Sequence, residues 1–315
     1  MADIGNDIGL AASILTQGGL VAIPTETVYG LAANAFNEQA VLNVFKVKNR
    51  PSFDPLICHI AHLDQLKSLT VDIPVAANVL MDNFWPGPLT LVLNKSEKIS
   101  NLVSSGLDTA AFRMPRHPLT RELLFSLDFP LVAPSANPFG YVSPTTAEHV
   151  DQQLGDQIDY ILDGGPCKIG LESTIVSFNE KQPTILRLGG LSVEAIESKI
   201  GEVQATLHSS SNPKAPGMLH SHYAPRVPVE VGDIDLILKS DKNHKIGILS
   251  YNKKYPDYTN FVLTQTGDVN EAAKRFFAGL RWLDEQNIDK IITEYAPDVG
   301  LGRAINDRLN RASAQ

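Results

Sequence analysis

Cysteine and long hydrophobic runs are both scarce in this sequence. Of its 315 residues only Cys58 and Cys167 are cysteines, so a disulfide framework is not expected and reduced thiols are the simpler interpretation. No apolar run approaches the roughly 20 residues that a membrane-spanning helix requires. The N-terminal stretch starts with acidic residues and lacks the basic segment of a signal peptide. We therefore expect a cytoplasmic protein with no membrane partner.

Positive charge is in deficit. The chain has 27 Lys and Arg against 35 Asp and Glu, which gives a formal net charge of −8. A general nucleic-acid-binding surface needs a basic stripe, so this balance argues against one. It does not exclude an internal pocket for an anionic ligand, because local fields can oppose the net charge. The composition, 43% hydrophobic and 20% charged, fits a globular chain of one large or two ordinary domains.

Several catalytic signatures are missing. No serine stands in G-x-S-x-G and no cysteine pairs visibly with a histidine, so the chain has no convincing nucleophile. A P-loop pattern is also absent, and an ATP-dependent enzyme with this sequence would have to bind ATP by another route. His220 and His222 stand at i and i+2, but no third ligand lies at metal-type spacing nearby. We therefore expect no metal held by the protein alone.

The most informative stretch begins with an apolar strand predicted at residues 20–23. This strand ends at Pro24 and is followed by the polar residues Thr25, Glu26 and Thr27, and then by a helical pattern over residues 38–46. A strand, a polar turn and a helix form the layout in which α/β proteins place ligands. The turn is therefore a candidate ligand site.

Two cations follow that helix. Lys48 and Arg50 stand at i and i+2, and Pro51 and Pro55 favour an extended segment, in which such residues point to the same side. This spacing predicts an anion clamp beside a strand at residues 56–60 that carries His59. The alternative is an ordinary solvated loop, since short motifs give false positives.

The remaining pattern predicts two α/β units. Strands and helices alternate up to about residue 200, several strands follow one another directly, and polar groups recur at strand ends in PSAN (134–137) and LESTI (171–175). This predicts a mixed, twisted sheet with helices packed on it. We expect a first domain at residues 1–200, a Ser/Pro/Gly-rich linker at 201–226 and a smaller α/β domain at 227–315. The last helix carries three arginines that we expect to be solvated: Arg303, Arg308 and Arg311.

The motifs together resemble the YrdC-like family of threonylcarbamoyl-AMP synthases. The resemblance rests on PTETVYGL, a K-x-R-P segment and PL-x-x-HI at matching spacing, and on APGMLHSHYAP and GLGRAINDRLNRAS, which are similar to the linker and small domain of the family's long form. It implies a twisted open α/β sheet around a deep basic cavity and a smaller Rossmann-like domain. It also implies that L-threonine, bicarbonate and ATP are converted into threonylcarbamoyl-adenylate, pyrophosphate and water. This product supplies the t6A modification at position 37 of tRNAs.

The resemblance also implies site residues. The set that would surround the nucleotide phosphates and act catalytically comprises Lys48, Arg50, Ser135 and Asn137. Contacts to threonine and the carbamate are implied for Thr27, His59, Arg113, Ser173 and the backbone of Ala133, with Arg113 pairing with the threonine carboxylate. Further positions around ATP are Asp54, Thr109, Ser143, Arg187, His222 and Tyr223. Mg²⁺ is expected to arrive with ATP, and no tightly bound organic cofactor is expected.

One position departs from the family pattern. Many members have Asn where this chain has Asp54, and an acid beside phosphates is unfavourable unless a cation or Mg²⁺ intervenes. The linker, with His222 and Tyr223, is expected to fold over the cavity as a lid that excludes water. Downstream threonylcarbamoyl-transferase proteins are the expected recipients of the product, with at most a weak contact to tRNA.

Two other functions compete with the synthase. One is a YrdC-like RNA-binding or ribosome-associated module with a vestigial pocket, which the acidic charge and the full set of site residues disfavour. The other is a carbamoyl-transfer domain of the hydrogenase-maturation type. Such domains belong to longer chains with zinc-finger-like Cys clusters, whereas this chain has two cysteines.

Overall fold

The computed structural model describes residues 2–178, 182–205, 222–241 and 244–314. Most of the predicted linker, including its Ser-rich part, lies outside these ranges. Within them the strands form a larger and a smaller sheet. The strands of the larger sheet are β1 (Asp3–Gly5), β2 (Val21–Ile23), β3 (Gly30–Asn34), β4 (Ile57–His59), β5 (Leu89–Asn94), β6 (Thr109–Arg113), β7 (Leu131–Val132), β8 (Tyr160–Leu162), β9 (Thr174–Ser177), β10 (Thr184–Arg187) and β11 (Gln204–Ala205). Those of the smaller sheet are β12 (Val229–Val231), β13 (Ile246–Ser250), β14 (Thr259–Val262) and β15 (Lys290–Thr293).

Helices pack against both sheets. In the first domain they are α1 (Ile8–Thr16), α2 (Glu38–Lys48), α3 (Leu63–Leu69), α4 (Val75–Phe84), α5 (Asn101–Ser104), α6 (Pro118–Phe125), α7 (Ala147–Leu154) and α8 (Val193–Ile200). In the second they are α9 (Ile234–Ser240), α10 (Val269–Asp284) and α11 (Gly302–Ala312). Side-chain caps begin several of them: Asp7 accepts from the backbone of α1, Asn37 from that of α2 and Thr146 from that of α7. None of the helices described is long and apolar enough to cross a membrane.

The larger sheet is mixed, as the sequence predicted. Its strand order is β1-β8-β2-β3-β7-β4-β6-β5-β9-β10-β11. Strand β4 runs parallel to β6, whereas β5 runs antiparallel to β6 and parallel to β9, and β10 runs antiparallel to β9. This arrangement brings the carboxyl ends of β4, β6 and β10 and the amino end of β9 to one edge of the sheet.

The predicted passage from strand through polar turn to helix was wrong in one respect. The turn after β2 leads into a second strand, β3, which pairs antiparallel with β2, and only then into α2. Residues Gly30, Leu31, Ala32 and Ala33 are all buried, so β3 lacks the polar and apolar alternation that marks a half-buried strand. The polar turn therefore lies inside a hairpin, between two central strands.

The C-terminal domain has a parallel sheet with the order β12-β15-β13-β14. Helix α10 is amphipathic, and its buried face includes Phe276, Phe277 and Leu280. These residues belong to the same apolar cluster as Val142 and Val150 of the first domain, so the two domains share a continuous core.

The domains also meet through polar and backbone contacts. The guanidinium of Arg281 on α10 donates to the carbonyl oxygens of Val142 and Ser143 and, at 2.9 Å, to the side chain of Gln153. Gly170 lies against the backbone of α10 with φ 78°, and a Cβ there would come within 2.5 Å of the carbonyl oxygen of Lys274. The C-terminal domain is thus packed directly on the loops that surround the sheet edge described above.

Candidate active site

A cavity lies at the sheet edge where β4, β6, β9 and β10 meet. It holds only about 40 Å³ of space for water. Nine of the residues singled out from the sequence line it: Arg50, His59, Arg113, Ala133, Ser135, Ser173, Arg187, His222 and Tyr223. Val28, Ile57, Pro134 and Glu172 complete the lining. Residues that are far apart in the chain therefore converge on one basic cavity.

The predicted geometry of Lys48 and Arg50 was wrong. Lys48 is the last residue of α2, and Asn49 takes the left-handed conformation, with φ 51° and ψ 40°, that ends the helix. The segment is therefore not extended at these residues. Asn is among the few residues that adopt this conformation readily, so the turn depends on one side chain that the sequence pattern did not flag. The two cations are still close enough to repel each other. Burial lowers the pKa of Lys48, and the charge on Arg50 lowers it further.

Lys48 is buried beside the cavity rather than in its lining. Its Nζ donates to the carbonyl oxygens of Ser135, at 2.6 Å, and Asn137, at 2.5 Å. Burial, with Arg50 nearby, lowers the pKa of Lys48 well below its ordinary value. The Asn137 amide donates to the carbonyl oxygens of Pro138 and Tyr141, while its Oδ1 accepts no hydrogen bond from any residue that the structure describes. A buried acceptor of this kind is available to a ligand that brings a donor.

Asp54 is fully buried and forms an ion pair with Arg50. Its carboxylate lies 3.0 Å from Nη2 of Arg50, yet neither oxygen has a well-formed hydrogen bond within the described part of the chain. Burial raises the pKa of Asp54, and Arg50 and Lys48 oppose this rise. The acid that departs from the family pattern is therefore partly neutralised by a neighbouring cation.

Arg113 at the end of β6 is held by Glu26, a residue of the polar turn that sequence reasoning did not assign to the site. The Arg113 Nη2 lies 2.7 Å from Oε1 of Glu26, and the backbone N–H of Arg116 donates to Oε2 at 2.9 Å. Burial alone would raise the pKa of Glu26, but Arg113 opposes this and the net pKa is lowered, so the carboxylate is ionised. The PTET motif was the signal that could have identified Glu26, because the carboxylate stands between two residues flagged as polar.

His59 and Arg113 are direct neighbours in the sheet, paired in register between β4 and β6. The Nδ1 of His59 lies 3.2 Å from the carbonyl oxygen of Ile57, which can only accept, so Nδ1 carries the proton and Nε2 has a free lone pair. Burial, reinforced by Arg113, lowers the pKa of His59 to about 3. The imidazole is therefore neutral near pH 7 and can accept a hydrogen bond through Nε2.

Ser173 joins the strands on the other side of the cavity. Its hydroxyl lies 2.7 Å from Oγ1 of Thr90, and its carbonyl oxygen accepts from Nε and Nη2 of Arg187 at 3.1 and 2.9 Å. The Arg187 guanidinium also donates to the Ser173 hydroxyl at 3.1 Å. These contacts fix the orientation of Arg187, which the sequence analysis predicted to lie near ATP.

Two of the predicted residues are placed further from the cavity. Thr27 is buried one position before the lining residue Val28, and its hydroxyl lies 2.8 Å from that of Thr25. Thr109 begins β6, while Arg113 ends it, so about 13 Å of strand separates the two. Their contacts to threonine and ATP stay predictions.

His222 and Tyr223 of the predicted lid form one wall of the cavity. Both are buried, and their rings make an edge contact with centroids 4.1 Å apart. Burial, with Arg50 and Lys48 nearby, lowers the pKa of His222 well below its ordinary value. Tyr223 has φ 65°, an unusual conformation for a bulky residue, and packs on Phe277 of α10. The C-terminal domain therefore supports this wall from behind.

The expectation that the arginines of α11 are solvated was wrong for two of the three. Arg308 is 0% exposed and Arg311 6% exposed, whereas Arg303 is half-exposed and pairs with Glu194 at 3.2 Å. Arg308 reaches Glu172, a lining residue, at 3.1 Å. Ser143 contacts the cavity through the same carboxylate, to which its hydroxyl donates at 2.6 Å. The sequence could not reveal the ion pair between Arg308 and Glu172, because the two residues are 136 positions apart.

Comparison with known proteins assigns the chain to a family. Residues 13–189 match the Sua5, YciO and YrdC family, described as Telomere recombination, and residues 191–314 match the family described as Threonylcarbamoyl-AMP synthase, C-terminal domain. The threonylcarbamoyl-AMP synthase of Pyrococcus abyssi is 42% identical over 97% of this chain and 94% of its own length, and that of Bacillus subtilis is 41% identical over 97% and 92%. The crystal structure of P. abyssi Sua5 with L-threonine superposes with a TM-score of 0.92 at 41% identity and covers 99% of this chain and 97% of that one. The chain therefore belongs to the Sua5/YciO/YrdC family, in the form that carries the C-terminal domain.

Proposed function

We propose that this protein is a threonylcarbamoyl-AMP synthase, which converts L-threonine, bicarbonate and ATP into L-threonylcarbamoyladenylate, pyrophosphate and water. The observation that carries the proposal is the convergence of Arg50, Arg113 and Arg187 on one cavity, with Lys48 directly behind it. Four cations around a buried space suit a reaction whose substrates are a triphosphate, a carboxylate and bicarbonate. The full-length relatives named for this activity support the same conclusion.

The chemistry needs positioning and charge stabilisation rather than a protein nucleophile. The threonine amine attacks the carbon of bicarbonate, and water leaves to give a carbamate. A carbamate oxygen then attacks the α-phosphorus of ATP, the bond to the bridging oxygen breaks and pyrophosphate leaves. Negative charge increases on the phosphates during the second step, and Lys48, Arg50 and Arg187 would stabilise it. This role is supported by the place of Arg50 and Arg187 in the cavity lining, with Lys48 directly behind it.

Threonine is assigned to the side of the cavity formed by β4 and β6. The Arg113 guanidinium, held by Glu26, would bind the threonine carboxylate, and Nε2 of His59 would accept from the threonine hydroxyl or ammonium group. Ser173 lies across the cavity with a hydroxyl that can donate or accept. Ser135 and Asn137 follow β7 on the same loop that Lys48 anchors, which supports a place beside the phosphates.

Mg²⁺ is assigned to the ATP-bound state. Within the described residues no group of three or more His, Cys, Asp or Glu side chains could hold a metal alone. Mg²⁺ in proteins is commonly held by one or two carboxylates together with substrate phosphates, and the buried carboxylate of Asp54 fits that role. The ion would offset the repulsion between Asp54 and the phosphates.

A nucleotide does not fit in the cavity as it stands, because about 40 Å³ of free space is far less than the 300 Å³ or more of typical ligand pockets. Part of the lining must therefore move, and the wall formed by His222 and Tyr223 belongs to the predicted linker. This supports the hypothesis that the linker is a lid that opens for ATP and closes over the easily hydrolysed mixed anhydride. The released product would go to a threonylcarbamoyl-transferase that modifies tRNA.

One assay separates this function from its competitors. Pyrophosphate release from ATP should require both L-threonine and bicarbonate, and mass spectrometry should detect threonylcarbamoyladenylate. Release that is indifferent to either substrate would contradict the proposal. An inactive protein that binds tRNA tightly would instead favour the RNA-binding alternative, and a requirement for carbamoyl phosphate would favour hydrogenase-maturation chemistry. A crystal structure of full-length HypF is similar to this chain at 17% identity, which shows a shared fold and does not show a shared activity.

A further inference from the structure

Arg308 connects the C-terminal helix to the cavity through a buried chain of contacts. Its Nη2 and Nε lie 3.1 and 3.3 Å from Oε2 of Glu172. The other carboxylate oxygen of Glu172 accepts from the Ser143 hydroxyl at 2.6 Å. Glu172 lines the cavity, so the charge on Arg308 acts on a residue that faces the substrates.

The same guanidinium supports a second part of the cavity wall. Its central carbon lies 5.2 Å from the centre of the Tyr223 ring, in cation–π geometry. The backbone N–H of His222, one position earlier, donates to the carbonyl oxygen of Arg311 at 3.4 Å. Helix α11 thus contacts both His222 and Tyr223 of the predicted lid.

The charges explain why this position needs a cation. Glu172 is buried at the edge of a cavity that would receive a triphosphate, and a lone carboxylate there would repel it. Arg308 neutralises Glu172, and its Nη1 is paired with Asp307 at 3.0 Å. An ion pair this deeply buried is weak evidence for a stabilising role, because removing two charges from water is costly. Its position beside the nucleotide site gives it another purpose.

We propose that Arg308 is a positioning residue of the synthase site, which neutralises Glu172, orients Ser143 through that carboxylate and packs on Tyr223 in the wall that closes over bound ATP. This inference rests on the proposed function and adds a residue of the C-terminal domain to the nucleotide site. Arg308 contacts no substrate itself. It acts through the Glu172 carboxylate and the Tyr223 ring, so its loss should affect ATP more than threonine.

The test uses full-length protein and steady-state kinetics with each substrate varied in turn. R308M leaves Glu172 as an unpaired anion, and we expect KM for ATP to rise at least about tenfold while KM for threonine changes less than about threefold. The double variant E172Q/R308M removes both charges and retains an amide oxygen for Ser143. It should recover most of the lost ATP affinity. A purely structural role for Arg308 would instead raise KM for threonine in R308M as much as KM for ATP.

The matched control is R303A, on the same helix but half-exposed and paired with Glu194. It should have wild-type kinetics. Equal rises in both KM values for R308M, or a double variant no better than R308M, would overturn the inference. If R308M does not fold, the double variant and R308Q, which is polar but uncharged, carry the test through the affinity of a non-hydrolysable ATP analogue, which should be near wild type for the former and reduced for the latter. Wild-type protein that forms no threonylcarbamoyladenylate would instead refute the proposed function.

Discussion

The guanidinium of Arg113 lies 2.7 Å from the carboxylate of Glu26, although 87 positions separate the two residues in the chain. Glu26 occupies the turn between β2 and β3, and Arg113 ends β6, so the pair links two strands across the sheet edge. The pair fixes the orientation of a cation that would otherwise have several rotamers. A fixed guanidinium can receive a carboxylate without a further entropy cost.

Glu26→Gln should therefore weaken threonine binding. Loss of a charge-assisted hydrogen bond costs about 1.5–3 kcal/mol, so kcat/KM for threonine should fall roughly tenfold to a hundredfold. Steady-state kinetics with threonine varied would measure this, with Glu97→Gln as the exposed control. An unchanged kcat/KM in the Glu26 variant would mean that Arg113 needs no partner.

Lys48→Ala and Arg50→Ala should each abolish synthesis while the fold is retained. Removing one cation from the proposed phosphate site should cost on the order of 2–4 kcal/mol of transition-state stabilisation. Because Lys48 also binds the carbonyl oxygens of Ser135 and Asn137, its loss should release that loop as well. Circular dichroism would check the fold and pyrophosphate release the activity. The control is Lys46→Ala, a change at an exposed lysine two residues before Lys48, which should keep wild-type turnover. Near wild-type turnover in both test variants would refute a phosphate role.

Threonine should be preferred to valine by orders of magnitude in kcat/KM. The two amino acids differ by a hydroxyl in place of a methyl group, and the predicted site offers the Nε2 of His59 and the hydroxyls of Ser173 and Thr27. With valine the Nε2 of His59 would have no donor from the substrate, and a buried polar group left without its substrate partner is an effective way to reject an analogue. Comparable values for both substrates would show that these side chains do not read the hydroxyl.

His59 should make stability depend on pH. Burial lowers its pKa to about 3 from an ordinary 6.5, so between these values the unfolded chain binds a proton that the folded chain does not. The contribution to the free energy of unfolding is fully present above pH 6.5 and is lost as pH falls towards 3. Between pH 7 and pH 5 this amounts to as much as about 2 kcal/mol.

The measurement is urea unfolding of wild type and His59→Gln at pH 7 and pH 5. The variant should lose less stability on acidification, because glutamine does not titrate, while the other histidines contribute equally to both proteins. His244→Gln, at an exposed histidine, should behave as wild type. Parallel pH profiles for wild type and His59→Gln would contradict the buried, neutral imidazole.

Ligands should protect the linker from proteolysis if it closes the site. Limited digestion of the full chain should slow at residues 209–211 when ATP and threonine are both present, and less with either alone. A chain cut after residue 200 should retain little activity, since it lacks His222, Tyr223 and the helices that pack behind them. Equal digestion rates with and without ligands, together with a fully active truncated chain, would leave the linker as a tether only.

Local sequence patterns predicted most elements but not the turns that direct the site residues. The strand predicted at residues 20–23, the helix predicted at 38–46 and the strand predicted at 56–60 correspond to β2 (Val21–Ile23), α2 (Glu38–Lys48) and β4 (Ile57–His59), so local patterns placed these elements to within a few residues. The left-handed turn at Asn49 was missed because one residue sets it and Pro51 argued for an extended chain. Strand β3 was missed because burial on both faces removes its alternation.

Long-range polar pairs were beyond any local pattern. The motifs placed Lys48, Arg50, Arg113 and Arg187 at one site through a family resemblance, whereas spacing alone left a solvated loop as an equal alternative. Glu26 was visible in PTET yet had no assigned partner, and Arg308 resembled an ordinary surface cation. The burial of a charged residue depends on the counter-ion that folding brings next to it. When that counter-ion is distant in sequence, a local stretch cannot predict the burial.

The close approach of Gly170 to α10 restricts which substitutions the chain tolerates. Since a Cβ at Gly170 would meet the backbone of Lys274, and φ there is 78°, every other amino acid would either push α10 away or strain the loop. The loop also leads to Glu172, two residues further on. Even the methyl group of alanine at Gly170 would thus push the two domains apart. Contact with the neighbouring domain, and not the local turn alone, therefore limits this position to glycine.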